Sequence, residues 1–149
     1  MTFQSFRSNY FKVKDPDAFY AFAQRFKQDF QVFPAPANHN QAGKVCLLGL
    51  SGRGIPEAEI QSEASDSKQW TTEEWMEKRR EIDFPSELSE HLADGEVAVF
   101  MELSADHLRF LHGYAVAVNA SGMTQTIKLA DIYEQAEKHL GVVGSPCEY

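Results

Sequence analysis

The tightest constraint on this chain is a succession of strand patterns between residues 96 and 129, closed by a helix pattern. Residues 96–103 (EVAVFMEL) and 108–118 (LRFLHGYAVAV) are rich in β-branched and aromatic residues. Residues 119–122 (NASG) have turn chemistry, and 123–129 (MTQTIKL) return the chain. Residues 131–140 then place Ile132, Tyr133, Ala136 and Leu140 at helical spacing, and Gly141 stops the run. Strands joined by short turns pair antiparallel, and a helix with one apolar stripe needs a sheet face to bury it. The expected fold class is therefore α+β.

The rest of the chain extends this pattern. Residues 9–14 (NYFKVK) predict a short strand. Asp15 and Pro16 suit the cap and first position of a helix over 16–27, whose Phe19, Phe22, Ala23 and Phe26 share one face. Residues 30–33 predict a second short strand, and the near-continuous apolar run 44–51 (KVCLLGLS) predicts a central one. Thr71 and Glu74 fit a capping box for a short helix carrying Trp75 and Met76, and 85–92 reads as another helix. Loops are expected at 34–43 and 57–69. No repeat and no linker divides residues 1–149, so they read as one domain: a mostly antiparallel sheet with two main helices, near 16–27 and 131–140, packed on one face. Val97, Val99, Met101, Phe110, Val116 and Val118 are the expected inward side chains.

Charge is unevenly placed. The chain carries a net −8, yet residues 57–102 hold 14 acidic against 4 basic residues. Such a field repels a phosphate backbone and attracts basic surfaces. Direct nucleic-acid binding is not expected. No apolar run approaches the ~18 residues of a membrane span, and residues 1–9 lack the pattern of a secretory signal. With only Cys46 and Cys147, no disulfide framework is expected, so a cytoplasmic protein is the expectation.

No reactive motif stands out. The five His residues, His39, His91, His107, His112 and His139, form no metal-binding spacing, so no metal and no cofactor is expected. Gly49, Gly52 and Gly54 follow a strand but lack the phosphate-loop order, and Glu57 and Glu59 come next. Ser51 lacks the nucleophile-elbow spacing. No catalytic residue is assigned. Trp70 and Trp75 lie within the most acidic stretch, and tryptophan is enriched at binding hot spots. Trp70, Glu73, Glu74, Trp75 and Glu77 are accordingly the expected partner-binding residues, facing a basic protein.

The alternative is a small enzyme or ligand-binding domain without a sequence motif. It would use Arg109, His112 and Tyr114 beside Cys46, although Arg109 and His112 have opposite strand parity. Self-association into a homodimer, through a free edge at 123–129, is a third reading.

Several stretches resemble an uncharacterised family of small α+β proteins carried by bacterial plasmids, phages and integrative elements. They are SNYFKVKD from Ser8, IDF from Ile82, LADGEVAV from Leu92, GYAVAVN from Gly113 and LADIY from Leu129. The resemblance implies a bacterial or mobile-element setting and no activity, and transfers no functional residue; an inhibitor or accessory role belongs to the acidic-docking reading above.

Overall fold

The computed structural model describes residues 2–60, 71–106 and 110–141. A six-stranded antiparallel sheet runs in the order β2-β3-β1-β6-β7-β8. Its strands are β1 (Thr2–Ser8), β2 (Phe30–Pro34), β3 (Val45–Gly49), β6 (Val97–Asp106), β7 (Phe110–Asn119) and β8 (Thr124–Lys128). A separate two-stranded arm pairs β4 (Ala58–Ile60) with β5 (Arg79–Glu81). The helices are α1 (Pro16–Gln24), α2 (Thr72–Lys78), α3 (Phe84–Ser89) and α4 (Asp131–Leu140). The class is α+β, and no helix among the described residues is long and apolar enough to cross a membrane.

Local chemistry explains most of the boundaries. The Asp15 carboxylate accepts from the Asp17 and Ala18 amides at 3.1 and 3.2 Å, capping α1 ahead of Pro16. Thr71 and Glu74 form the reciprocal capping box: the Thr71 amide donates to the Glu74 carboxylate, and the Glu74 amide donates to Thr71 Oγ1. Gly141 closes α4 in the left-handed conformation, at φ 73°. The Asn119 side chain accepts from the amides of Ser121 and Met123, fixing the turn between β7 and β8.

The core lies between one face of the sheet and α1 with α3. Phe19, Phe22, Ala23 and Phe26 of the α1 segment are buried there, as their spacing requires. Phe84 is their hub. Its ring meets Phe26 edge-on at 5.3 Å and Phe100 at 5.6 Å, and stacks on Phe22 at 5.9 Å. The cap of α3 comes from Asp83, whose carboxylate accepts from the Ser86 amide.

Three expectations need correction. The regular first strand is Thr2–Ser8, not 9–14. Phe11 and Val13 do alternate inward, but this stretch makes only isolated bridges, to Val45 and Leu92. Its amides are shared among several partners: Asn9 donates to the Val99 carbonyl, Phe11 to the Val45 carbonyl, Lys12 to the Glu96 carboxylate and Lys14 to the His91 carbonyl.

In β6 the parity is reversed. Ala98 and Phe100 face the core opposite Val118 and Val116, so Val97, Val99 and Met101 point to the other face. Finally, α4 forms where expected, but none of its residues is buried. The core is closed by α1 and the short α3, leaving the stripe of α4 outside it.

Candidate functional site

The acidic stretch resolves into paired and unpaired carboxylates. Glu59 binds Arg25 at 2.8 Å and also Arg80. Glu87 sits 3.4 Å from Arg25 and 3.5 Å from Arg80. Two arginines and two glutamates thus tie the β4–β5 arm to α1 and α3. Arg25 also lies over the Phe22 and Phe26 rings, which orients its guanidinium. Glu96 is engaged by Lys44 at 3.6 Å. These acids hold the fold together and contribute little outward field.

Of the expected partner-binding residues, Glu73, Glu74 and Glu77 are exposed on α2. Glu74 is committed to the capping box. Glu73 and Glu77 lie one turn apart on one helix face, with no ion-pair partner among the described residues. Trp70 lies outside the described residues, and Trp75 is placed only by its backbone, within α2.

Glu102, one of the 14 acids of residues 57–102, is buried on the inner face of β6. The Gln4 amide donates to its Oε1 at 2.9 Å, while the Ile55 amide and the Tyr114 hydroxyl donate to Oε2 at 2.8 and 3.1 Å. Both oxygens are satisfied, as a buried carboxylate requires. Gly54 makes this approach possible, since a Cβ there would sit 2.5 Å from Gln4 Nε2 and 2.8 Å from Glu102 Oε2. Burial, and then the neighbouring Glu102 charge, raise the Tyr114 pKa well above the usual phenol range. Tyr114 therefore keeps its proton and donates. The cluster anchors the 50–56 loop to β6 and β7.

Of the residues of the catalytic alternative, His112 and Tyr114 come together, with ring centroids 6.4 Å apart, whereas Cys46 lies away from both. Arg109 lies outside the described residues. Cys46 is buried on β3, and β1 and β6 separate that strand from β7. Three strand spacings amount to about 14 Å. A groove of about 220 Å³ beside Tyr114 is lined by Ile55, Pro56, Ile82 and Val116, and His112 is not part of its wall.

The opposite face of the sheet gave no sequence expectation as a site. Across β1, β6 and β7 it aligns Phe3 with Ala105 and Leu111, Ser5 with Leu103 and Gly113, and Arg7 with Met101 and Ala115. Ile127 of β8 extends the last row, and Leu129 lies over Gly113. A Cβ at Gly113 would collide with Leu103 and Leu129, at 2.8 and 2.9 Å, so glycine leaves a shallow apolar hollow of about 260 Å³. A signal for this face existed in the sequence. Residues 97–101 and 113–118 are nearly continuous apolar runs, the pattern of strands covered on both faces.

No family model matches the chain, and neither does any curated protein or solved structure.

Proposed function

We propose that this protein is a non-enzymatic interaction protein that docks an acidic surface onto a basic protein partner, as an inhibitor or accessory factor. The observation that carries this reading is the pair Glu73 and Glu77, exposed one turn apart on α2 and with no ion-pair partner among the described residues. The α2 helix runs directly into the arm that Arg25 and Arg80 fasten to the body. An acidic helix held on a fixed mount presents a defined field to a cationic surface, which raises association rate and selectivity. The resemblance adds a bacterial or mobile-element setting to the proposal.

The test is capture from lysate of the native host, comparing the wild type with Glu73→Lys/Glu77→Lys. Glu74 is left intact because reversing it would remove half of the capping box. A basic protein retained by the wild type at low salt should be lost from the double variant. Equal retention by both baits would contradict acidic docking.

A further inference from the structure

We propose that the groove at the root of the β4–β5 arm is an arginine pocket, which takes one arginine side chain of the basic partner. The pocket rests on the acidic-docking reading for the source of that arginine, and adds the contact that makes docking selective. Ile55 and Glu57 line it where the chain enters the arm, Ile82 and Asp83 where the chain leaves it, and Tyr114 and Val116 from β7. Ile55 and Val116 are buried, Ile82 and Tyr114 half-buried, and Glu57 and Asp83 exposed, so apolar walls lead out to a carboxylate rim. The Ile82 amide donates to the Glu57 carbonyl at 2.9 Å, which pins the two sides of the arm together at the groove. The pocket and the acidic helix share one arm, since α2 runs into β5 and β5 into Ile82.

The occupant follows from size and charge. A dry cavity of about 150 Å³ holds a benzene ring, so the groove's 220 Å³ has room for the side chain of one arginine. No base lines it. Arg80 is held by Glu59 and Glu87 instead, and Lys128, opposite Tyr114 on β8, is not part of the wall. Glu57 and Asp83 have no ion-pair partner among the described residues. Behind Ile55 and Tyr114 lies the buried Glu102 carboxylate, whose donors Gln4, Ile55 and Tyr114 are all neutral. Its charge is weakly screened by apolar surroundings. The Glu57 charge also reaches Tyr114, where it adds to the upward push on the phenol pKa. Three carboxylates thus act on one apolar groove. A neutral side chain would leave the rim unpaired. An arginine serves both parts: its stem lies along Ile55, Ile82 and Val116, and its guanidinium meets the rim carboxylates and the Tyr114 ring. A lysine ammonium is more strongly hydrated and lacks the planar fork, so it gains less.

Titration of the full chain, labelled with nitrogen-15 and followed by NMR, tests this with N-acetyl-arginine amide as the probe. N-acetyl-citrulline amide, its neutral isostere, and N-acetyl-lysine amide are the comparisons. The arginine compound should shift the amides of Ile55, Glu57, Ile82 and Val116 saturably, and bind about fivefold or more tightly than either comparison. Glu57→Gln/Asp83→Asn should lower arginine binding to the citrulline level, while α3 keeps its cap because asparagine caps as well as aspartate. Glu73→Lys/Glu77→Lys should leave this titration unchanged, so the pocket and the acidic helix are read separately. No saturable shift at the groove up to about 50 mM, equal binding of the arginine and citrulline compounds, or an unaffected Glu57→Gln/Asp83→Asn variant overturns the pocket. Equal binding of the lysine compound overturns arginine as its occupant.

Discussion

The two faces of β6 and β7 are made from the same ten-residue strands, yet they have opposite fates. On the inner face Ala98, Phe100, Val116 and Val118 are buried under α1 and α3. On the outer face Met101 remains 59% and Leu103 50% exposed, although the residues are no less apolar. The difference does not lie in the strands, because alternation places similar side chains on both sides. It lies in what the rest of the chain supplies. The aromatic stripe Phe19, Phe22 and Phe26, with Phe84, closes one face, while α4 buries none of its residues against the other. Among the described residues, a strand pair with apolar side chains on both faces has a cover on one.

The largest expected contrast between the faces is in stability. Phe100→Ala should cost about 3–5 kcal/mol, since it removes a fully buried ring from the Phe84 cluster and leaves a cavity. Its neighbour Met101→Ala should stay within about 0.5 kcal/mol at protein concentrations that keep the chain monomeric. Urea unfolding at low micromolar concentration measures both. Equal losses at the two positions would erase the distinction between the faces.

The polar end of the inner face sharpens the comparison. Glu102→Gln should cost about 1–3 kcal/mol, because an amide cannot accept from Gln4, Ile55 and Tyr114 together as the carboxylate does. Tyr114→Phe should cost about 1 kcal/mol. The pH dependence has a definite sign. The folded pKa of Tyr114 is raised above its ordinary value of about 10. The contribution is thus whole below that pH and is lost as pH climbs through the raised value. In Tyr114→Phe this alkaline loss should be missing from the pH profile of unfolding, whereas an unchanged profile would mean that Tyr114 does not hold its proton for Glu102.

The smallest effect concerns His91, whose ring packs 4.6 Å from Phe22 at the edge of the core. Burial, the dominant influence, lowers its pKa, with Glu90 opposing and Lys14 adding to the shift. The unfolded chain then binds the proton more readily. Its contribution is present above about pH 6.5 and disappears as pH falls through the lowered value. Replacing His91 by Gln should flatten that part of the acid limb of the unfolding profile, and a limb of unchanged slope would contradict the assignment.

Much of the fold was legible because local signals and burial agreed. Asp15, Pro16 and the Phe19-Phe22-Phe26 spacing specify α1 without tertiary information, as do Thr71 with Glu74 for α2 and Gly141 for the end of α4. The inward parity of β6 was not legible, because Val97 to Met101 are apolar at every position and alternation carries no phase there. The first strand was missed because Phe3 and Phe6 differ by three and face opposite sides of the sheet. At the candidate site, counting charge could not tell Glu102 from the exposed acids of residues 57–102. Only pairing across β6 and β7, with Gly54 and Ile55 folding over it, shows a buried anchor. The opposite lesson comes from Glu59 and Glu87, whose shared partner Arg25 is 34 and 62 residues away in sequence.

The most direct examination of the uncovered face uses the chain's own methionines. Met76 on α2, Met101 on β6 and Met123 beside the β7–β8 turn are exposed to similar degrees in the single chain, at 73%, 59% and 68%. Oxidation by hydrogen peroxide, followed by peptide mass spectrometry, compares them in one sample. If the outer face lies open, Met101 will be oxidised at a rate close to those of Met76 and Met123 at low protein concentration. Oxidation of Met101 several times slower than that of both would contradict it.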